Sequence, residues 1–250
     1  MKSIVLLTAL FSLVTVARAS VTETFTHSYN VNPDVAIRLE NVNGDIDITA
    51  WDKSEVSLVA DKRAKDDEEL HRIEIIIDID PARVSIKTKY NKKSGWNFFG
   101  NWSNASVHYK LMVPAGARLE KIASVNSDIG VNGVHGNVSL ETVNGGIEAK
   151  GLAGDAKLES VNGSLRSDFD STDKVHDVKL ESVNGRAEVT LPKGASASIK
   201  TSSVNGSTRV DQAIKLSKSG RHSLSGDIGS GTGPHIEIET VNGSISIREK

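Results

Sequence analysis

A short motif that recurs along the chain restricts the fold more than any other feature of the sequence. Its consensus is [LI]-x-x-V-N-G-x-[IL]-x-[IV], with apolar residues alternating on either side of a central Val-Asn-Gly. Alternation with a period of two is typical of β-strands, so each copy predicts two short strands around a turn. The copies are centred on Asn43, Asn126 (where Ser replaces Gly), Asn144, Asn162, Asn184, Asn205 and Asn242.

The spacing of the copies predicts how they assemble. Asn126, Asn144 and Asn162 are 18 residues apart, and the next two steps are 22 and 21 residues. A period of about 20 residues is typical of a leucine-rich repeat or of one β-solenoid coil. The signature of leucine-rich repeats is missing, which favours the solenoid. We therefore predict an all-β protein, a β-solenoid of about 18–22 residues per coil with about six or seven coils over 122–250. The step of 37 residues from Asn205 to Asn242 is interpreted as two coils, one of them degenerate.

The Val-Asn-Gly corner has a structural explanation. Asn and Gly tolerate positive φ, so the chain can turn sharply there, and a small residue lets neighbouring coils approach. Asn side chains in stacked coils can also bond to one another in a ladder. The alternative is that the asparagines line a ligand groove. We favour the ladder, because a motif present in every coil is what a stacking unit requires.

The N-terminal region, 20–121, differs from the repeats but is expected to continue into the solenoid as one domain. Strands are predicted over 22–29, 35–40, 46–51 and 56–60, from their alternating apolar residues. The charged stretch 61–72 lacks Gly and Pro and predicts one short helix that caps the solenoid end. Residues 73–113 predict an inserted β-hairpin, formed by 73–80, 83–90 and 107–113 around an aromatic tip.

The first 19 residues predict an export signal. Lys2 is followed by an uncharged apolar run of 13 residues and by Ala17-Arg18-Ala19, which matches a signal-peptide cleavage site. This run is too short for a membrane-spanning helix, which needs about 20 apolar residues. We therefore expect an exported mature chain without a transmembrane anchor, located in the periplasm, or else secreted or on the cell surface.

An aromatic cluster lies between the predicted strands 83–90 and 107–113. Two of the chain's three tryptophans and two of its five phenylalanines fall within seven residues there. Aromatic side chains in a loop indicate either a contact surface for a sugar, lipid or protein, or a plug that folds back onto the core. The candidate ligand-binding residues are Lys92, Lys93, Trp96, Phe98, Phe99 and Trp102.

Little in the sequence indicates catalysis. A net charge of −2 argues against a generally basic nucleic-acid binder, and the absence of cysteine excludes thiolate metal sites and disulfides. The seven histidines are not at metal-ligand spacing, and no G-x-S-x-G motif is present. Glu141, Glu159 and Glu181 are expected to form a solvated column, because like charges stacked directly repel. We predict no enzyme activity, no cofactor and no metal.

These features resemble a family of bacterial domains of unknown function called putative adhesins, related to the head domain of putative autotransporter adhesins. The resemblance rests on the predicted signal peptide, the Val-Asn-Gly repeats, the sequence Val-Pro-Ala-Gly-Ala at 113–117 and the Gly-rich segment at 226–234. It covers nearly all of 20–250. It implies a β-solenoid in the cell envelope, without an established enzyme activity or functional residues to transfer.

Three functions follow from these observations as hypotheses. The first is a non-catalytic exported protein that binds an envelope glycan, lipid or protein through the aromatic cluster. The second is an envelope scaffold that self-associates end to end through its open coil edges. The third is a solenoid polysaccharide lyase or hydrolase.

Overall fold

A computed structural model describes residues 20–91 and 105–250 of the chain. In these ranges the strands form two sheets, sheet I with eleven strands and sheet II with ten, and neither sheet closes on itself. The two sheets enclose one apolar core. The elements are β1 (Val21–Asn30), β2 (Ala36–Glu40), β3 (Ile46–Trp51), β4 (Glu55–Ala64), α1 (Asp67–Leu70), β5 (Ile73–Asp80), β6 (Arg83–Tyr90), β7 (Ser106–Pro114), β8 (Arg118–Ala123), β9 (Ile129–Asn132), β10 (Val138–Asn144), β11 (Ile147–Leu152), β12 (Ala156–Asn162), β13 (Leu165–Phe169), β14 (Asp177–Asn184), β15 (Ala187–Leu191), β16 (Ala197–Asn205), β17 (Thr208–Val210), β18 (Ile214–Ser219), β19 (Ser223–Ile228), β20 (His235–Asn242) and β21 (Ile245–Glu249).

Each repeat forms one rung of a solenoid-like stack. In one such rung β12 lies in sheet I, the chain turns at the corner 162–164, and β13 continues in sheet II. β12 pairs in parallel with β10 and β14, and Leu158 lies opposite Leu140 and Leu180. This register places the same repeat position above itself in successive rungs, so each position forms a column along the stack.

The columns that point inward make the core. Leu140, Leu158 and Leu180 of sheet I are fully buried, and so are Leu165 and Ala187 of sheet II. Burying one leucine side chain contributes about 1.5–3 kcal/mol, so a column of them holds neighbouring rungs together. The period of two in each strand is what keeps these side chains inside.

The last rung of the chain is not the last rung of the stack. β20 lies between β14 and β16, and β21 lies between β15 and β17. Between Asn205 and Asn242 the chain forms β17 and then the hairpin β18–β19, which pairs antiparallel with β16. The prediction of a degenerate coil in this step is therefore wrong, because an antiparallel hairpin is not a rung.

Antiparallel strands close the stack at three of its four sheet ends. On the N-terminal side, β1 and β4 extend sheet II beyond β7, and β5 extends sheet I beyond β6. On the other side, β19 and β18 extend sheet I beyond β16. The fourth end is the short strand β17, which pairs in parallel with β21.

The helix predicted over 61–72 is largely wrong, since only the single turn α1 is helical. Residues 61–64 continue β4, because they pair with β1 on one side and with β7 on the other. Two of the charged side chains that suggested a helix, Asp61 and Lys62, have their partners on the neighbouring strand β1. Lys62 forms an ion pair with Glu23 of β1 at 3.1 Å.

The hairpin predicted over 73–113 is also corrected. β5 and β6 form a hairpin of their own, whereas β6 lies in sheet I and β7 in sheet II, so these two strands do not pair. They meet inside the core, where the hydroxyls of Thr88 and Tyr109 are 2.7 Å apart. Alternation predicts each strand but not the sheet that the strand joins.

Two predictions lie outside the described residues. The first is the export signal over 1–19. The second is the ligand-binding role of Lys92, Lys93, Trp96, Phe98, Phe99 and Trp102.

Candidate binding groove

The corner asparagines of all seven rungs form one column of hydrogen bonds. Each side-chain Nδ2 donates to the Oδ1 of the asparagine in the neighbouring rung, at 2.7–2.9 Å. An amide can donate and accept at once, so the column continues through every rung. It begins where Asn43 donates to the carbonyl of Ala105 at 3.2 Å. The spatial order is Asn43, Asn126, Asn144, Asn162, Asn184, Asn242 and Asn205.

Space, rather than backbone angle, explains the glycine that follows every ladder asparagine except Asn126. A Cβ on Gly163 would overlap the carbonyl oxygen of Gly145 in the rung below. Among the corner glycines that the structure describes, only Gly44 and Gly145 have positive φ, and no described asparagine has it. The positive φ predicted for the corners is therefore wrong for most rungs. The close approach of coils, also predicted, holds equally at Gly185, Gly206 and Gly243.

A second column of hydrogen bonds runs beside the ladder, and the sequence did not predict it. In every rung except that of Asn43, where Asn41 takes the place, the residue two before the asparagine is Ser or Thr, and its buried hydroxyl donates to a corner carbonyl of the adjacent rung. Ser160 donates to Gly145 at 3.0 Å, and Ser182 donates to Gly163 at 3.0 Å. The same bond is made by Thr142, Ser203 and Thr240.

The outer face of sheet I carries a column of carboxylates. Glu141, Glu159, Glu181 and Glu239 lie opposite one another in consecutive rungs. Two of them have lysine partners on the same strand, at 2.8 Å for Glu159 and 2.9 Å for Glu181. Strands are about 4.8 Å apart, so these like charges are close neighbours.

The two central carboxylates of this column differ in acidity. Burial raises the pKa of Glu159, and its hydrogen bond to Glu181 raises that pKa further. The same hydrogen bond, together with Lys179, lowers the pKa of Glu181. Of these two carboxylates, Glu159 is therefore the one that takes up a proton more readily.

Exposed valines form a second outward column, one position before the asparagines. Their exposure runs from 38% at Val125 to 54% at Val204, high for a large apolar side chain in a regular sheet. The sequence motif contains this valine in every copy, but the repeat was interpreted only as a corner. The other members are Val143, Val161, Val183 and Val241.

The glutamate and valine columns are the two walls of a groove along the stack. The groove has a volume of about 510 Å³ and also includes the Ser and Thr side chains between the walls. The glutamate and the valine of one strand are two residues apart, so the walls are separated by about 6.6–6.8 Å along each strand. The groove therefore offers carboxylate acceptors on one side and methyl groups on the other over the four consecutive rungs of Asn144, Asn162, Asn184 and Asn242. Ala123 and Ser202 stand at the glutamate position in the rungs on either side.

Two classes of site have no counterpart in the part of the chain that the structure describes. Residues 20–91 and 105–250 contain no group of three or more His, Cys, Asp or Glu placed to hold a metal ion. In the same ranges, no helix has the length and apolarity that crossing a bilayer requires.

The fold and the groove define an all-β, solenoid-like protein with a repeating surface on one sheet. The chain belongs to the Toastrack DUF4097 family, whose family model matches residues 33–248. No curated protein sequence matches the chain.

Solved structures support the fold. A putative cell adhesion protein from Clostridium sporogenes is 17% identical, with a TM-score of 0.52 over 91% of this chain and 100% of that one. At this identity the likeness shows the fold alone. A putative adhesin from Bacteroides fragilis is 16% identical (91% of this chain, 97% of that one, TM-score 0.29). A putative lipid binding protein from Parabacteroides distasonis is 14% identical (91% and 96%, TM-score 0.33). TM-scores this low carry no argument for this chain.

Proposed function

We propose that this chain is a non-catalytic, exported binding protein of the adhesin type that holds an extended glycan along the groove of sheet I. The observation that carries this proposal is the repetition of the same two walls, glutamate and valine, over consecutive rungs. A repeating surface suits a ligand that also repeats, because each unit of the ligand then meets the same side chains.

The chemistry of the walls favours sugars over lipids. A pyranose ring offers hydroxyl donors at its edge and C–H groups on its face. Carboxylates accept hydrogen bonds from such hydroxyls, and a bond to a charged group is worth about 1.5–3 kcal/mol. Valine methyl groups pack against the C–H face. A lipid chain offers no donor for the glutamates, which would then be desolvated without a partner.

The dimensions agree with this assignment. Rungs repeat about every 4.8 Å along the groove, close to the length of one sugar residue in an extended chain. The two walls are separated by about the width of a pyranose ring. An occupant that follows the groove therefore runs across the strands rather than along them.

Export is part of the proposal and rests on the N-terminal sequence. Lys2, the apolar run and Ala17-Arg18-Ala19 have the layout of a cleaved signal peptide. We propose the periplasm as the compartment, where envelope glycans are the accessible polymers. The ligand-binding role of the aromatic cluster stays a second, separate prediction.

Co-sedimentation of the mature chain with peptidoglycan, outer-membrane vesicles and plain liposomes tests the proposal. Three proteins run beside the wild type: a groove variant (Val143→Ser, Val161→Ser, Val183→Ser), the variant with Ala at 96, 98, 99 and 102, and Leu216→Ser. Leu216 is the matched control, because it is an exposed apolar residue outside the groove.

The expected result is pelleting with peptidoglycan that the groove variant loses by roughly tenfold or more, as expected when several apolar contacts are removed. Leu216→Ser keeps it. Loss only in the four-alanine variant would transfer the site to the aromatic cluster. The proposal of a glycan groove would be overturned if the groove variant still pelleted with peptidoglycan, or if the wild type pelleted with liposomes alone. Binding abolished by moderate salt would indicate a cationic ligand instead.

A further inference from the structure

Asn-Gly sequences carry a chemistry of their own, and this chain has several. The backbone nitrogen of the glycine can attack the asparagine side-chain carbonyl carbon, forming a five-membered succinimide and expelling ammonia. Water then opens the ring to aspartate or isoaspartate. Glycine favours the attack because it has no Cβ to hinder it. The reaction needs a glycine N–H that is not hydrogen-bonded and an asparagine side chain that is free to turn.

The inner rung of Asn162 blocks both requirements, and the inner rung of Asn242 blocks the turning of its side chain through bonds to Asn184 and Asn205. The Nδ2 of Asn162 donates to Asn144 at 2.9 Å, and its Oδ1 accepts from Asn184 at 2.8 Å. The attacking nitrogen, that of Gly163, donates to the carbonyl of Asn184 at 3.0 Å. Three hydrogen bonds would have to break before the ring could close.

The outermost rung differs on each count. Asn205 donates to Asn242 at 2.8 Å, but among the described residues no donor reaches its Oδ1. In the same part of the chain the nitrogen of Gly206 has no backbone partner. Both residues are exposed. The cause is the stacking order: Asn205 ends the column, so no further rung covers it.

The one Asn-Gly outside the ladder is blocked in another way. Asn132 has no side-chain hydrogen bond within the described residues, but the nitrogen of Gly133 donates to the carbonyl of Lys150 at 2.9 Å.

We propose that Asn205 is the site of spontaneous deamidation in the folded protein, and that the ladder protects the inner asparagines.

The product would change the end of the stack. A carboxylate at position 205 has no donor for Asn242, so it loses the terminal bond of the ladder and places a negative charge beside the Oδ1 of Asn242. Isoaspartate also lengthens the main chain at the corner, where Gly206 already lies against the carbonyl of Gly243. Each event adds one negative charge to the molecule.

The chain contains its own matched control. Asn162 and Asn205 lie in the same local sequence, Ser-Val-Asn-Gly-Ser. Cleavage after Lys and Arg releases them in fragments of equal length, 158–166 and 201–209. Peptide mass mapping of the intact mature protein, aged in mildly alkaline buffer, measures the two conversions in one sample. A second sample is aged unfolded in urea.

In the folded sample, Asn205 is expected to convert roughly tenfold or more faster than Asn162, the factor that one or two net hydrogen bonds provide. In urea the two rates are expected to be equal. Equal rates in the folded protein would overturn the proposal. So would a difference that persists in urea, because sequence rather than structure would then explain it.

Discussion

The middle of the stack and its ends are built by opposite rules. From β8 to β15 every strand pairs in parallel with strands of the neighbouring rungs, and equivalent positions of the repeat lie opposite one another. At the ends, β1, β4, β5, β18 and β19 pair antiparallel with strands of different sequence. The middle is held by columns of side chains from equivalent positions in successive rungs. The antiparallel strands at the ends do not continue these columns.

The difference shows how a repeat is stopped. A parallel rung presents its asparagine, its hydroxyl and its strand edge to the next copy, so it invites another rung. An antiparallel strand uses the same backbone groups without continuing the columns. Among the strands of 20–91 and 105–250, only β17, three residues long, leaves a parallel edge open.

The largest effect is expected from a methyl group placed between two inner rungs. Gly163→Ala puts a Cβ onto the carbonyl of Gly145, and only backbone movement can relieve the overlap. We expect a loss of about 3 kcal/mol in the free energy of unfolding. Urea unfolding followed by circular dichroism measures it.

Gly220→Ala is the control for that change. Gly220 lies in the end hairpin, and the nearest atom to its Cβ would be the hydroxyl of Ser223 at 3.3 Å. Its effect is expected to be within about 0.5 kcal/mol. Equal losses for both substitutions would show that rung spacing does not determine stability.

The asparagine ladder gives the next largest effect. Asn162→Ala removes two hydrogen bonds from the middle of the column, and Asn205→Ala removes one from its end. We expect the free energy of unfolding to fall by about 1–2 kcal/mol for Asn162→Ala and by about 1 kcal/mol or less for Asn205→Ala. Thermal and urea unfolding of both variants test the order. An end substitution that costs as much as the inner one would contradict a column held by pairwise bonds.

The smallest effect is that of pH. Hydrogen bonds from Lys87, Lys150 and Lys200 hold the pKa values of Glu40, Glu148 and Glu237 below their ordinary range.

A lowered folded pKa adds stability above the unfolded value, and this stability is lost as pH falls through the folded one. We expect a small fall in the melting temperature on acidification below the ordinary range of Glu, reduced further by salt because the pairs are exposed. Differential scanning calorimetry at two pH values and two salt concentrations measures it. A melting temperature that rises on acidification would have the wrong sign for these pairs, and would point to Glu159, whose pKa is raised.

Much of the architecture could be predicted from periodicity. The predicted strands 46–51, 73–80 and 83–90 agree with β3, β5 and β6 at both ends. Their apolar residues alternate clearly, and turn residues bound them. The corner column of asparagines follows from the recurrence of one asparagine per coil, because a position that recurs in register must stack.

The predictions that failed needed information that a single strand does not contain. The rungs of Asn205 and Asn242 share the same Val-Asn-Gly-Ser corner, so spacing alone does not tell which of them contacts Asn184. The stretch 61–64 is charged. It is a strand because it pairs with β1 on one side and with β7 on the other. The hydroxyl column and the valine wall needed the register of neighbouring rungs to be visible.

The place of the last rung has a consequence for how this molecule folds. The rung of Asn205 precedes that of Asn242 in the chain, yet it docks onto it from outside. Until β20 arrives, β16 meets a bare β14 with the same register and the same bonding groups. A chain that pairs them directly is trapped one rung short, with its C-terminal segment shut out, and must separate them again before the native order can form. The repeat that makes this stack stable therefore also allows a misfolded pairing with the same register.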